Sequence, residues 1–261
     1  MTILVPTITF SDDHTQAANT FFYVEDEELL YNVSWSGITI GTIRLKTLSV
    51  LEFSEAGRHK AVAYIDSRSG LPFVDVHLVA YTEMDSSFNS LGSYSYEKQD
   101  GEWLKVLYRY NLSEKKIIVE EAYQETLGSS SQHSVVRDTL HITKNLVQDG
   151  ISLVFIGRRL LQVQDSISFS TVSNEKIGET LFYPLRPHSK VNIKAWERPI
   201  HVVELSGIMK LEGILGLTGD FKGWFSNDDA AIPITAEMKF ILGSIKIELK
   251  HWNRKGWNPP E

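Results

Sequence analysis

Apolar and polar side chains alternate with a period of two along most of this 261-residue chain, from Leu29 onward. Tyr31, Val33 and Trp35 fall on one side of an extended segment, and polar residues separate them. The same alternation recurs near the end of the chain, in residues 245–249. This period places successive side chains on opposite faces of a β-strand, so that one face is buried and the other meets solvent. The pattern therefore predicts a series of strands, each with one buried face.

Turn sequences separate these segments. Asp66–Gly70 and Asn174–Gly178 are rich in the residues that turns prefer. Lys98–Gly101 predicts a hairpin that joins Ser93–Glu97 to Trp103–Asn111. No repeat of constant length runs through the chain, which argues against propellers and solenoids.

One segment departs from the two-residue period. From Asp149 onward, the apolar residues Ile151, Val154 and Phe155 fall at helical spacing. Asp149 is suited to cap the first turn, whereas Gly157 within the segment costs about 1 kcal/mol relative to alanine. Together the patterns predict a mainly β protein, with a single large curved antiparallel sheet or partly open β-barrel and one embedded α-helix.

The composition excludes several classes of protein and site. A hydrophobic share of 42% and a net charge of −7 are typical of a globular domain and argue against disorder. The absence of cysteine excludes disulfides and thiolate chemistry. The acidic balance argues against a nucleic-acid partner. No apolar run approaches the ~20 residues of a spanning helix, so we expect no transmembrane segment.

Motif searches predict no catalytic residue, no metal site and no cofactor, because the chain lacks phosphate loops, nucleophile elbows and paired-histidine zinc motifs. His77 lies two residues after Asp75, on the same strand face, where the carboxylate could orient an imidazole. The alternative interpretation is a polar outer face, which we favour. A hydrolase with a dispersed site around these two residues is therefore the third functional hypothesis.

Three further groups have competing interpretations. Ser226–Asp229 offers oxygen ligands for Ca²⁺, but the same residues form β-turns, which we favour. Arg158 and Arg159 lie at the end of the predicted helix, where they either cap it or pair with carboxylates. The segment Lys250–Trp257 mixes cations with aromatic rings, as interaction patches do. The simpler expectation is a tail whose two tryptophan rings fold back on the sheet.

Aromatic residues make up 11% of the chain and are spread over several predicted strands. If they face the concave side of a curved sheet, they line an apolar cleft for an acyl chain or another hydrophobe. If they face each other, they fill the core. The candidate ligand-binding residues are Tyr31, Trp35, Trp103, Tyr108, Trp196 and Trp224.

Four blocks of sequence together resemble the bacterial DUF3108 family of cell-envelope proteins. They are Glu28–Gly37 followed by Gly41, Gln148–Arg158 with its leading aspartate, Gly223–Pro233 with its tryptophan and acidic turn, and Leu242–Ile245. The resemblance covers roughly residues 27–250. It implies a predominantly β fold and an exported protein in the periplasm or associated with the outer membrane. It supplies no activity and no catalytic residues.

The chain therefore divides into an N-terminal arm (residues 1–26), a DUF3108-like β domain (27–252) and a C-terminal tail (253–261). The arm lacks the basic region of a signal peptide, because the first Lys or Arg is Arg44; it is either a remnant of a leader or a solvated lead-in. We expect a non-enzymatic envelope protein that binds an apolar ligand (a lipid or lipoprotein) or an envelope partner on the concave face. The second hypothesis is a scaffold subunit of a larger complex.

Overall fold

A computed structural model describes residues 23–49, 58–71, 75–127, 135–143, 146–161, 165–183, 187–211, 218–240 and 243–261. Within these ranges the chain forms sixteen strands and a single helix, α1. The first eight strands are β1 (Glu28–Trp35), β2 (Ile38–Thr47), β3 (His59–Ser67), β4 (His77–Met84), β5 (Ser90–Gln99), β6 (Glu102–Asn111), β7 (Lys116–Gln124) and β8 (Val135–His141). They are followed by β9 (Val147–Gln148), α1 (Ser152–Leu160), β10 (Ile167–Ser173), β11 (Lys176–Phe182), β12 (His188–Ile193), β13 (Trp196–Met209), β14 (Gly219–Ser226), β15 (Pro233–Phe240) and β16 (Gly243–Asn253).

All sixteen strands belong to one sheet. Its order is β8-β7-β6-β5-β4-β3-β2-β1-β16-β15-β14-β13-β11-β10-β9, and β12 pairs with β13 beside this path. Neighbouring strands are antiparallel except β9 and β10, which run parallel. The predicted hairpin of β5 and β6 is present, with Gln99 opposite Glu102. The pairing of β1 with β16 joins the two ends of the chain at the middle of the sheet.

The sheet wraps around α1. One apolar cluster contains the helix residues Phe155 and Ile156 together with Leu45 of β2 and Leu205 of β13, strands that lie far apart in the sheet order. On β3 and β4, small side chains face the helix and leave room for it: Ala61, Ala63 and Ala80. The helix begins at Ser152, later than its predicted start, and Asp149 precedes it. The helix therefore occupies the concave face of the sheet.

The two edges of the sheet meet through side chains. Ile117 of β7 packs with Val147 of β9 and Val172 of β10 in one buried cluster. Among the described residues, β8 pairs only with β7, so no ladder of hydrogen bonds closes the barrel. The prediction of a curved antiparallel sheet or partly open barrel with one embedded helix is confirmed.

Both terminal segments pack against the sheet. The Tyr23 hydroxyl donates to backbone oxygens of β3 and of the residues after β2. The ring of Trp257 lies 5.4 Å from that of Trp252, so the tail folds back on the sheet as expected. The arm up to residue 22 and Leu242 of the fourth family block lie outside the described residues. The boundaries at residues 26 and 252 stay predictions, and no helix in the described part of the chain is long and apolar enough to cross a membrane.

Candidate functional site

A buried ion-pair network joins α1 to both ends of the domain. Arg158 has no exposed side-chain surface, and its guanidinium binds the Glu27 carboxylate with two bonds of 2.8 and 3.3 Å. The same guanidinium donates to the carbonyl oxygen of Ala230 at 2.9 Å. Arg254 of the C-terminal tail pairs with Glu27 Oε2, the oxygen that also accepts the longer bond from Arg158. Arg158 therefore binds a carboxylate across the barrel, and Arg159 donates to the carbonyl of Ser87.

The two arginines hold the Glu27 carboxylate in its ionised state. Burial alone would raise the pKa of Glu27, but the charges and hydrogen bonds of Arg158 and Arg254 outweigh it and lower that pKa. A buried pair of this kind leaves no proton to exchange near neutral pH. The network therefore anchors α1 inside the sheet and offers no group for acid–base chemistry.

The other end of α1 is anchored equally firmly. One oxygen of the Asp149 carboxylate accepts from the backbone N–H groups of Ile151 and Ser152, at 2.9 and 3.0 Å. The other oxygen accepts from the hydroxyls of Thr82 and Ser90, at 2.5 and 2.7 Å. The predicted cap is thus present, and it also ties the helix to β4 and β5. With both ends held and seven of its nine residues buried, α1 fills the concave face.

The six candidate aromatic residues are distributed over several places. Tyr31, Trp196 and Trp224 belong to or pack against one apolar cluster, which also includes Trp252. The Tyr31 hydroxyl donates to the carbonyl of Pro233 at 3.1 Å. These three side chains therefore help to form a core.

The other three candidates lie apart from that core. Tyr108 packs between β6 and the opposite edge of the sheet, where its hydroxyl accepts from the N–H of Glu175 at 3.1 Å. Trp35 ends β1 beside the first turn. Trp103 lies on the outer face of β6, two residues before Lys105. The structure does not bring the six side chains onto one surface, and their role in ligand binding stays a prediction.

His77 is held between carboxylates on the surface. Its Nδ1 lies 2.8 Å from Asp66 and its Nε2 lies 3.5 Å from Asp75. Both ring nitrogens thus face an acid, and 40% of the side chain is exposed. No serine hydroxyl among the described residues is hydrogen-bonded to this ring. The described residues therefore place acids against this ring, and the hydrolase hypothesis stays a prediction.

In the acidic turn after β14, the carboxylate of Asp228 is occupied by hydrogen bonds within the protein. Asp228 accepts from the hydroxyl of Ser226 and from the N–H groups of Ala230 and Ala231, at 2.7, 3.2 and 3.1 Å. Its second oxygen accepts from the indole N–H of Trp257 at 2.8 Å. These bonds match the β-turn interpretation rather than a calcium site. In the described ranges, no three acidic or histidine side chains are grouped as metal ligands are.

A row of tyrosines crosses the outer face of the sheet. Strands β3 and β4 turn alanines toward α1, so their alternate tyrosines, Tyr64 and Tyr81, point away from it. Tyr94 of β5 lies opposite Tyr81 and so shares that outer face. Tyr81 of β4 stacks on Tyr94 of β5, with ring centroids 4.6 Å apart. Tyr96 meets Tyr94 edge-on at 5.8 Å, and Tyr64 on β3 is close enough to Tyr81 to contribute to the raised pKa of Tyr81.

A cation lies at each end of this row. The guanidinium of Arg44 is 4.4 Å from the ring centroid of Tyr64. The ammonium of Lys105 is 5.2 Å from the centroid of Tyr94 and 5.5 Å from that of Tyr96. We call the set Arg44, Tyr64, Tyr81, Tyr94, Tyr96 and Lys105 the tyrosine surface. All of its tyrosines are half-buried.

The two cations differ from others on the outer face. Within the described ranges, neither Arg44 nor Lys105 has a carboxylate partner, whereas Lys46 of β2 pairs with Glu28 at 3.0 Å. Burial raises the pKa of Tyr94 to about 12 and also raises that of Tyr81. Their hydroxyls therefore remain protonated hydrogen-bond donors at neutral pH. The tyrosine surface combines positive charge with phenolic donors.

The sequence carried only part of the signal for this surface. Tyr94 and Tyr96 alternate with serine in the run Ser93–Glu97, which places both rings on one face. Nothing in the local sequence reveals that Tyr81 lies opposite Tyr94, because that contact depends on the register between β4 and β5. The network around Glu27 was missed for the same reason, since its partners are 131 and 227 residues away.

Comparisons with known proteins support the fold and the family. The chain is similar to the crystal structure of a β-barrel-like protein of the DUF1849 domain of unknown function from Brucella abortus. The TM-score is 0.56 at 10% identity, over 89% of this chain and 99% of that one. A protein with a YmcC-like fold from Bacteroides fragilis aligns with a TM-score of 0.34 at 11% identity, over 90% and 99% of the two chains. No curated protein matches the sequence.

The likeness to the Brucella protein concerns the fold alone. The family comparison reaches further, because the DUF3108 model, described as a protein of unknown function, matches residues 30–250. That match contains the strands from β2 to β15 and the whole of α1. The chain belongs to the DUF3108 family.

Proposed function

We propose that this protein is a non-enzymatic binding protein of the bacterial envelope, and that it contacts its ligand or partner through the tyrosine surface. The observation that carries the proposal is the pair of cations, Arg44 and Lys105, which lie over a row of tyrosines and have no carboxylate partner among the residues that the structure describes. The envelope location is the one that the family resemblance implies.

Because α1 occupies the concave face of the sheet, the outer face is the better candidate for binding a ligand or partner. A lipid or acyl chain on the concave face would have to displace α1, whose core contacts and two anchored ends hold it there. Displacement would also break the Glu27–Arg158 pair and leave buried charges without partners, which is strongly unfavourable. An apolar carrier with an internal cavity is thus a poorer fit than a protein that binds from outside.

Protection of the tyrosines from chemical modification tests this proposal. The protein would be mixed with a detergent-solubilised bacterial envelope fraction, treated briefly with hydroxyl radicals and analysed by mass spectrometry. We expect slower oxidation of Tyr81, Tyr94 and Tyr96 when the fraction is present. Tyr123 on β7 is the internal control, because it is 51% exposed and lies outside the tyrosine surface. Equal oxidation of the three tyrosines with and without the fraction would refute the proposed site.

The scaffold alternative also has a structural feature in its favour. Val135 and Val136 of β8 are 56% and 61% exposed, at an edge of the sheet. Exposed apolar edge strands can pair with a strand of another chain. If this protein is a subunit of a larger complex, Val136→Lys should release a stoichiometric partner from the complex isolated under mild solubilisation. Co-isolation of that partner at an unchanged ratio would exclude this edge as the contact.

A further inference from the structure

We infer that the tyrosine surface binds an acidic polysaccharide, a chain of sugars that carries carboxylate or phosphate groups. This inference rests on the proposed function and specifies its ligand. It follows from what the surface presents to solvent: phenolic hydroxyls along the row and one positive charge at each end.

The ring faces of the tyrosines are already in use. Tyr81 and Tyr94 stack on each other at an interplanar angle of 15°, while Arg44 and Lys105 lie over the faces of Tyr64 and Tyr94. Few faces remain on which a ligand ring could stack. Ring edges and hydroxyls are left for a ligand. The hydroxyls donate hydrogen bonds to hydroxyl, carboxylate and phosphate oxygens.

The positions of the cations suit an extended ligand. Arg44 is on β2 and Lys105 is on β6, four strand spacings apart, which amounts to roughly 19 Å across the sheet. One small anion cannot reach both ends of such a row. A polymer that carries an acidic group on many of its sugars can pair with both cations and accept hydrogen bonds from the phenols between them.

Charge on the surrounding surface supports this assignment. The neighbouring carboxylates Glu28 and Glu83 are neutralised by Lys46 and Arg58, at 3.0 and 2.8 Å. Asp66, on the same face of β3 as Tyr64, lies 2.8 Å from His77. The positive charges in direct contact with the tyrosine rings are those of Arg44 and Lys105, on a protein whose net charge is −7. An anionic ligand is attracted to this face and repelled by the protein as a whole, which favours binding at one place.

Two other anionic partners fit less well. A single-stranded nucleic acid needs exposed ring faces on which its bases stack, and here the stacked pair Tyr81–Tyr94 and the cations Arg44 and Lys105 already occupy faces in the row. A membrane surface needs apolar side chains that insert between lipids. The exposed large apolar side chains of the described residues lie elsewhere: Ile38, Leu112, Tyr123, Leu127, Val135, Val136 and Leu146.

Affinity electrophoresis with a polyuronate tests the inference. The protein would be run through native gels that contain alginate, a polymer of uronic acids, or dextran, a neutral polymer. We expect retardation by alginate and none by dextran. Arg44→Gln/Lys105→Gln should weaken alginate binding by at least about tenfold, since it removes both charge-assisted contacts. Tyr81→Phe/Tyr94→Phe should weaken it by a smaller factor, because it removes hydroxyl donors and keeps the rings.

The matched control removes the same charge elsewhere on the protein. Lys222→Gln/Lys246→Gln changes two cations that already pair with Glu204 and Glu248. It should weaken binding by less than about twofold. Circular dichroism of every variant shows whether it is folded.

Several results would overturn the inference. The first is an equal loss of alginate binding in Arg44→Gln/Lys105→Gln and in the control Lys222→Gln/Lys246→Gln. The second is retardation by dextran. The third is tighter binding to anionic phosphatidylglycerol vesicles or to oligothymidylate than to alginate. Failure with alginate combined with protection of the tyrosines by the envelope fraction would refute the ligand class and leave the proposed function standing. Failure of both experiments would refute the two together.

Discussion

Replacing Glu27 with glutamine tests whether the buried ion pair anchors α1 inside the sheet. Glu27 is 2% exposed and is the acid shared by Arg158 and Arg254. Glutamine has nearly the same size and shape, so the substitution creates almost no cavity. What it removes is the negative charge, and it leaves the fully buried guanidinium of Arg158 without an anion.

The expected loss of stability is large. Breaking a buried ion pair by removing one partner costs about 3–5 kcal/mol, because the remaining charge is buried without compensation. A protein of this size loses about 2–4 °C of Tm per kcal/mol. Glu27→Gln should therefore lower Tm by roughly 6–20 °C. The double variant Glu27→Gln/Arg158→Met should recover part of this loss, since it also removes the buried cation.

Glu28→Gln is the matched control, because it makes the same substitution at the next residue. Glu28 pairs with Lys46 at 3.0 Å, and the two side chains are 28% and 37% exposed. Such surface pairs contribute about 0–1 kcal/mol. Thermal and urea unfolding, followed by circular dichroism, give the difference between the variants. Equal stability of Glu27→Gln and Glu28→Gln would refute the anchoring role.

The pH dependence of stability provides a second measurement on the same residue. The pKa of Glu27 is lowered from its ordinary 4.5 in the folded protein, so the unfolded chain binds the proton more readily. Its stabilising contribution is complete above the unfolded pKa and is lost as pH falls toward the folded pKa. Unfolding experiments should show a steeper loss of stability below pH 4.5 in the parent protein than in Glu27→Gln.

Three further predictions concern the helix, the turn and the surface histidine. Gly157→Val should destabilise the protein by about 1–3 kcal/mol in urea unfolding, because even a Cβ at this position lies 3.3 Å from Leu205; a neutral result would mean that α1 can shift. Asp228→Ala should cost about 1–3 kcal/mol, and millimolar Ca²⁺ should leave the Tm of the parent protein unchanged; a rise in Tm with Ca²⁺ would restore the metal interpretation. His77→Ala should change stability by less than about 1 kcal/mol and should leave any esterase activity of the purified protein unaltered, whereas loss of such activity would revive the hydrolase hypothesis.

The fold was largely accessible from the sequence because its signals are local. Alternation identified most strands, and Asp149 marked the start of the one helix, where its carboxylate does bind the first N–H groups. Gly157 illustrates the limit of such reasoning. As a helix residue it looks unfavourable, yet its lack of a side chain lets α1 approach Leu205 and Phe225.

The site was less accessible, because its members are distant in sequence. Six aromatic residues were candidates for a ligand cleft, with a filled core as the alternative, and the structure distributes them between a core, the barrel edges and the outer face. Side-chain alternation says which residues of one strand share a face. It does not say which face turns toward the helix, since that depends on how the whole sheet curves.

The sequence by itself predicted a mainly β protein with one embedded helix, which the described residues contain, and it carried the family relationship. Periodicity, turns and caps depend on interactions between residues that are close in sequence. Such interactions leave patterns that can be recognised in a single sequence. Only the tertiary structure decided that α1 fills the concave face and that Glu27 meets Arg158. It also decided that four tyrosines from three strands form one surface between two cations. The physical reason is that register and curvature depend on the packing of all strands together, which no short segment specifies.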